Sequence, residues 1–544
     1  MRRLGKIETI DASHALFPLP QAQGEGAACT LARSPFRFPK APPWKSVVWN
    51  LSVASILAPF ALLCGCNFAP KYTRPVLEAP AAFKELTTNQ FPQTNAWKMA
   101  EPNDGFTRGH WWELFGDTNL NALEVRAGAS NQTVAIAFAN FGAARAVVKQ
   151  TRSGFFPTVS ANPSVTRMRQ PASGNPTRSN SSAVTFTEYS LPLDASWELD
   201  FWGRVRNSVS ASQREAEAVL ADLESVRLTI HAELASDYFQ LRALDAQRQL
   251  LEAAVVAYAE SVRLTQVRHD TGISSDQDVA QAETQLAVTR AQATDLAILR
   301  AQFEHAIAVL VGEAASTFSI PAETPTNRVV VLPFGVPSQL LERRPDIAAA
   351  ERRVAEANAQ IGVARAAYFP AVTLNGSVGY QSSSLNNLVS WPTFAWSVGA
   401  TLAQTVFDAG RRRAVTEQAS AQYQATVANY RQTVLTGFQE VEDSLSALRL
   451  LSQELDEQEA AVNSAQRYLT LANDRYRLGI DGYLNVIVAQ TSFLNNQRTV
   501  VTLRSQQMTA AVQLIKALGG GWEAAPSSSP RELSSGAPAA AVRD

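Results

Sequence analysis

Cysteine is scarce, three in 544 residues, which excludes a fold stapled by disulfides. Histidine is nearly as rare, five in all and scattered, so no cage of metal ligands is expected. No apolar run reaches the roughly twenty residues that a membrane-spanning helix needs, which excludes a polytopic helical membrane protein. Neither sign of charge dominates. Forty-eight Lys and Arg stand against 49 Asp and Glu, a net charge of −1, without the basic excess of a nucleic-acid binder. A phosphate-binding glycine loop, a His-Glu-x-x-His pair and clustered Cys/His ligands are all missing. His110, His231, His269 and His305 stand in unlike contexts and read as surface or helix residues. No catalytic residue and no cofactor is therefore expected. What is present is 46% hydrophobic and 18% charged, too apolar for a disordered chain and long enough for several domains.

The amino terminus carries a targeting pattern. Lys40 and Lys45 precede an uncharged stretch, residues 47–63, that ends in Leu63-Cys64-Gly65-Cys66. A basic flank, a short apolar core and a small residue before the cut describe a secretory signal. The ending resembles a bacterial lipobox, with Cys66 as the acylated residue and Cys64 where Ala, Ser or Thr is usual. Asn67 in the next position favours the outer membrane over inner-membrane retention. Residues 1–65 thus read as an extension plus lipoprotein signal, the first 44 being best explained by a misassigned start. Residues 66–110 read as a lipidated, extended tether.

The remainder is duplicated. Gly154-Phe155-Phe156-Pro157-Thr158-Val159 recurs as Ala367-Tyr368-Phe369-Pro370-Ala371-Val372, 213 residues later. Gly203 followed by Arg204 recurs as Gly410 and Arg411, and Arg268 to Ile273 recurs as Arg475 to Ile480, both at 207. The chain therefore divides into two repeats, residues 111–318 and 338–521, joined by a linker over 319–337 and trailed by a disordered tail over 522–544. Residues 204–271 contain neither Gly nor Pro, and 411–478 only Gly437. At about 1.5 Å per residue each predicts a helix of roughly 100 Å. Leu220, Leu223, Val226, Ile230, Leu234, Tyr238, Leu241 and Leu244 recur at threes and fours, as a helical seam requires. Turns at Gly272 and Gly479 lead into return helices, closing long antiparallel hairpins over 204–311 and 411–518. A further helix precedes each strand pair, near 119–151 and 345–367. Pro345-Asp346 after Arg343-Arg344 is a helix start.

Between helices the period falls from 3.6 to 2. Tyr189, Leu191, Leu193, Ala195, Trp197 and Leu199 alternate with Ser190, Asp194, Ser196 and Glu198. Strand pairs are predicted over 157–169 with 184–201 and over 370–381 with 394–407, joined by Ser/Asn/Pro-rich loops at 170–182 and 382–393. Pro157 and Pro370 mark the helix-to-strand breaks. Gly203 and Gly410 mark the return to helix, where the adjoining arginines would meet lipid headgroups. Strands with one apolar face suit a membrane β-barrel, although alternation alone favours a soluble sandwich sheet with one wet face. Closure decides between them: four strands cannot close, and an open edge in hydrocarbon costs several kcal/mol per unpaired group. Two chains would pool eight strands and three would pool twelve, the latter with room for a lumen.

Carried by Pro70-Lys71-Tyr72-Thr73-Arg74-Pro75, Trp111-Trp112-Glu113-Leu114-Phe115, Trp197-Glu198-Leu199-Asp200-Phe201-Trp202-Gly203-Arg204, Arg343-Arg344-Pro345-Asp346-Ile347, Ala357-Asn358-Ala359-Gln360-Ile361-Gly362 and Arg475-Tyr476-Arg477-Leu478-Gly479, the chain resembles the TolC-type outer-membrane efflux family, in its acylated NodT-type branch. The resemblance implies a homotrimer: a twelve-stranded outer-membrane β-barrel continued by a helical α-barrel in the periplasm. It implies as partners a periplasmic adaptor and an inner-membrane RND-type pump, and as function a passive efflux duct for small molecules that opens by an iris-like movement of the tips. The tip turns at Gly272 and Gly479 would then form the gate. In relatives an acid lies four residues after the leucine of the second turn; here Leu484 has Val488 in that place. An apolar constriction at Leu484 and Val488 is expected, with Asp481, Asn485, Asp276 and Asp278 as polar candidates and Arg475 and Arg477 as their partners. A protein-secretion duct of the same fold is an alternative reading. A periplasmic coiled-coil adaptor or structural lipoprotein is another, though it would lack the strand pairs and the duplication.

Overall fold

The computed structural model describes residues 67–76, 83–85, 110–170, 183–323 and 343–520. After a short 3-10 turn (Trp111–Phe115) come α1 (Thr118–Ser130), α2 (Gln132–Arg152), β1 (Thr158–Ala161), β2 (Ser164–Gln170), β3 (Val184–Leu199), α3 (Arg204–Asp270) and α4 (Asp276–Leu310). The second half repeats the order with α5 (Pro345–Ala366), β4 (Ala371–Ser382), β5 (Phe394–Ala403), α6 (Arg411–Arg477) and α7 (Tyr483–Ala517). The expected signal segment with Cys66, the loop after Gln170, most of the expected linker and the 522–544 tail lie outside the described residues.

The two longest helices, α3 and α6, are each 67 residues. Each starts from a left-handed glycine, Gly203 at φ 76° and Gly410 at φ 88°, a conformation that costs other residues about 1–2 kcal/mol. An aspartate just upstream satisfies amides of the first turn. Asp200 accepts from the Val205 and Arg206 backbone N–H groups at 2.9 Å, and Asp408 from that of Arg412 at 3.2 Å. The arginines that follow these glycines also pair within the chain. Arg206 and Arg412 fold back on the same aspartates at 3.0 and 2.6 Å, and Arg204 donates to Glu198 at 2.7 Å. Along α3 the seam is buried at Leu223, Ile230, Leu234, Tyr238 and Leu241, whereas Leu220 lies exposed.

The helix expected over 119–151 is broken in two at Asn131, which takes an extended conformation. Its carboxamide oxygen caps α2 at the Val134 N–H, 3.0 Å, while its Nδ2 donates to the Leu310 carbonyl at the end of α4, 2.8 Å. The second repeat uses Arg344 likewise: it precedes α5 and donates to the Ala517 carbonyl at the end of α7, 3.0 Å. Arg344 also binds Glu440 and Asp346, both at 2.6 Å. Its guanidinium passes over Gly437, where an added Cβ would meet Nε at 3.3 Å. That contact accounts for the single glycine in α6.

The strands form one antiparallel sheet in the order β1/β2, β3, β4, β5. The strand expected over 157–169 is interrupted at Asn162-Pro163, where proline has no N–H to offer a ladder. Register is continuous across the break: Ala161 faces Leu193 and Ser164 faces Ser190. Pro157 and Pro370 stand immediately before β1 and β4. Cross-strand pairs share a face. Leu193–Val378–Trp396 and Ala195–Gly376–Val398 therefore lie on one side, and Asp194–Ser377–Ser397 and Ser196–Asn375 on the other. Both outer strands, β1/β2 and β5, are open edges in the single chain.

The largest core gathers Leu120 and Leu123 of α1, Leu234 and Leu241 of α3, Ile307 of α4, Ile347 of α5, Val434 and Val441 of α6, and Leu514 and Ile515 of α7. Burial is uneven, with 22 buried residues on α3 against ten on α6. Ile136 and Phe138 on α2 and Leu435 and Leu450 on α6 stay more than half or about half exposed. Apolar helix faces of that kind are left for another surface to cover.

Candidate functional site

Two helical turns at the far end of the hairpins form the candidate site. Both are closed by the same backbone device. Gly272 (φ 71°) donates to the His269 carbonyl at 2.8 Å and Ile273 to that of Arg268 at 2.7 Å. Gly479 (φ 72°) donates to Tyr476 at 3.0 Å and Ile480 to Arg475 at 2.9 Å. This paired bonding is the Schellman motif, and positive φ is its requirement for glycine.

Beyond the glycine the two turns diverge. Ser275 caps α4 through a reciprocal box with Asp278, each backbone N–H bonded to the other's side chain at 3.2 Å. Within the single chain Asp278 serves as a cap, and Asp276 makes no hydrogen bond or ion pair among the described residues. In the second turn Arg475 binds Asp481 through both Nε (2.6 Å) and Nη2 (3.2 Å). That paired hydrogen bond, with Asn485 adding another, holds the Asp481 carboxyl below the usual range. Arg477 contributes its carbonyl rather than its charge, accepting from Arg268 Nη1 at 3.4 Å.

Leu484 and Val488, four residues apart on α7, share its exposed face at 57% and 49% exposure. The opposite face, with Tyr483, Val486 and Ala489, is buried against the rest of the tip. Sequence reasoning missed the contacts that hold that face. The Arg268 guanidinium lies 4.8 Å over the Tyr476 ring, a cation–π contact. The Tyr476 hydroxyl sits 3.4 Å from Thr265 Oγ1 and 3.3 Å from Ser274 Oγ, and its ring tilts against Tyr483 at 5.3 Å. Burial pushes the Tyr483 hydroxyl up to about 12. The tip of the second hairpin is thus fastened to that of the first within one chain. The Arg-Tyr-Arg triplet before Gly479 was the available signal, since its repeat counterpart is Arg-His-Asp and only one copy carries the ring.

At the opposite end of the helices the residues just after Cys66 are seated at the strand-to-helix junction. Asn67 accepts from Asn207 Nδ2 at 2.9 Å, and Phe68 stacks on Phe369 at 4.2 Å beside Trp202. Gly362 leaves the space: an added Cβ would meet that of Ala69 at 2.6 Å. Farther along, Asn358 donates to the Pro70 carbonyl at 2.8 Å.

Residues 124–313 and 336–520 match the outer membrane efflux protein family. TtgC, a probable efflux pump outer membrane protein of Pseudomonas putida, is 34% identical over 477 residues, 87% of this chain and 96% of TtgC. ArpC, an antibiotic efflux pump outer membrane protein of Pseudomonas putida, is likewise 34% identical over 477 residues, with the same coverage. The solved outer-membrane channel OprN superposes with a TM-score of 0.75 at 30% identity, over 84% of this chain and 100% of OprN. The chain belongs to the outer membrane efflux protein family and has the fold of its TolC-type channels.

Proposed function

We propose that three copies of this chain form a passive outer-membrane duct that receives small molecules from an inner-membrane RND-type pump through a periplasmic adaptor. The sheet carries this reading. It has one apolar face, one polar face and two open edges, and hydrocarbon tolerates strands only in closed barrels. Three copies pool twelve staves around a water-filled lumen. The exposed apolar faces of α2 and α6 are the surfaces that neighbouring copies would cover. The names of TtgC and ArpC support efflux, and that of ArpC small-molecule cargo.

In such a duct the tips converge. Threefold repetition brings Leu484 and Val488 into an apolar ring with Arg475–Asp481 pairs beside it. Each exposed pair is worth only about 0.2–1 kcal/mol, so the apolar ring would bear most of the closure. Cys66 would be acylated, and the seating of Asn67 and Phe68 at the junction supports an anchor held at membrane level. Single-channel conductance of the purified protein in planar lipid films tests the gate. Leu484→Ala with Val488→Ala should raise conductance and antibiotic leakage, and Asp481→Ala should do so to a lesser degree. Unchanged values for all three would place the constriction elsewhere.

A further inference from the structure

We propose that Arg167 and Arg169, at the end of the sheet remote from the helices, dock the phosphorylated headgroup of an outer-leaflet glycolipid of the lipid A kind. The inference rests on the barrel reading and deepens it by naming a lipid that the wall selects.

Register places the two side chains. Val165 faces Tyr189, Arg167 faces Thr187 and Arg169 faces Thr185. Tyr189 is in line with Leu191, Leu193, Ala195, Trp197 and Leu199, the apolar side. The arginines therefore continue the lipid-facing rows and not the lumen. On that side they are the only charged residues in the sheet. All three carboxylates of β3, Glu188, Asp194 and Glu198, belong to the other face, where Glu188 is bonded to Gln381. Both arginines are exposed, and neither makes a hydrogen bond or ion pair among the described residues.

Neighbouring copies offer no counter-charge either. A strand from the next subunit would meet the β1/β2 edge through β5, yet residues 371–407 contain no charged residue at all. Residues 158–187 contain no Asp or Glu. The anion must come from outside the protein.

Height identifies it. From Leu199 to Tyr189 the apolar rows span about 33 Å along the strand, or about 25 Å along the membrane normal at a tilt of about 40°. That is the thickness of the apolar band of an outer-membrane barrel. An aromatic rim closes it: Trp391 stacks on Phe394 at 5.6 Å, and Phe394 meets Tyr380 edge-on at 5.7 Å. Arg167 and Arg169 lie two and four residues beyond Tyr189, at headgroup level on the side away from α3 and α6. A guanidinium matches phosphate oxygens bidentately, and the Thr185 and Thr187 hydroxyls stand beside it as further donors.

The test uses full-length trimers and an R167Q/R169Q variant, delipidated and offered three probes: bis-phosphorylated lipid A, dephosphorylated lipid A, and inorganic phosphate as competitor. Native mass spectrometry counts lipid retained per trimer. Wild type should retain the bis-phosphorylated lipid on the order of ten-fold better than the variant, as two basic residues at an anionic surface imply. Both proteins should hold the dephosphorylated lipid equally weakly, and excess inorganic phosphate should not displace the glycolipid. Equal retention by the variant overturns the proposal. So does wild type retaining the dephosphorylated lipid as well as the bis-phosphorylated one, and so does displacement by inorganic phosphate, which would reveal a free-anion site. Conductance of the same samples separates the two levels. If both proteins conduct while retention is equal, only the lipid site falls; if wild type forms no conducting trimer, the barrel reading falls and the site with it.

Discussion

Glu124 of α1 is fully buried, and its Oε2 lies 2.6 Å from His231 Nδ1 on α3. Trp112 stacks on His231 at 4.6 Å, and His110 stacks on Trp112 at 5.0 Å. Burial pushes the Glu124 carboxyl up to about 9. Burial, then the nearby charges of Arg227 and His110, push the imidazole down to about 4. Across neutral pH one proton therefore bridges two otherwise uncharged groups. An unfolded glutamate releases its proton at 4.5, so from there to about 9 the folded chain holds an extra proton, and stability falls as pH rises. His231 acts oppositely between 6.5 and about 4, where only the unfolded imidazole is protonated. The two effects cancel from 4.5 to 6.5, which leaves an alkaline slope. Thermal stability of the protein should decline from pH 6.5 to 9, by at most about 1.4 kcal/mol per pH unit, the ceiling for one proton. Glu124→Gln keeps a donor for Nδ1 and should flatten that slope; an unchanged slope in the variant would refute the assignment. His231 was expected to be an ordinary helix residue, and it does lie on a helix. Its partner could not be read from the sequence, because it stands 107 positions away on a helix whose packing no local pattern specifies.

At the scale of elements, the legible features were those written in glycine, proline and period. The hairpin turns, the start of α5 and the strand-to-helix returns all rest on such residues. The break at Asn131 was not legible, because an asparagine becomes a cap only when a second helix end, at Leu310, comes within reach. The tip lock was missed for the same reason: Arg268 and Tyr476 belong to different hairpins. Repetition nonetheless extends to these tertiary joints. Gly312 (φ 75°) closes α4 against Ser130, and Gly519 (φ 92°) closes α7 against Arg343. The two kinds of turn glycine should respond differently to a methyl group. Gly272→Ala meets nothing within 4 Å, so it should cost only the left-handed penalty of about 1–2 kcal/mol. Gly312→Ala adds a Cβ 2.4 Å from the Ser130 carbonyl oxygen, and two backbones must separate to admit it. Denaturant unfolding should therefore show Gly312→Ala as clearly the worse. Equal losses would mean that the joint between the ends of α4 and α1 is looser than its geometry.

For the whole molecule, the decisive property of the proposed barrel is that adjacent residues of one strand would face different media. Val398 and Ser397 are neighbours on β5, both exposed in a single chain. Val398 lies in the apolar row with Ala195 and Gly376, and Ser397 in the polar row with Ser377 and Asp194. In a soluble sandwich with a wet outer face, a charge at Ser397 would be harmless and one at Val398 would spoil a packed core of the same chain. In a barrel the penalty at Val398 is set instead by bilayer depth, about 2–4 kcal/mol for a lysine near the midplane, and it is incurred once per copy. Three copies multiply it to about 6–12 kcal/mol, comparable with the entire stability of a domain. Val398→Lys should therefore abolish assembly in outer membranes while leaving the helical part, whose core contains no strand residue, protected from proteolysis. Ser397→Lys should assemble normally and add three positive charges to the lumen, shifting single-channel selectivity toward anions. A Val398→Lys protein that assembles and conducts like wild type would remove the membrane from this face.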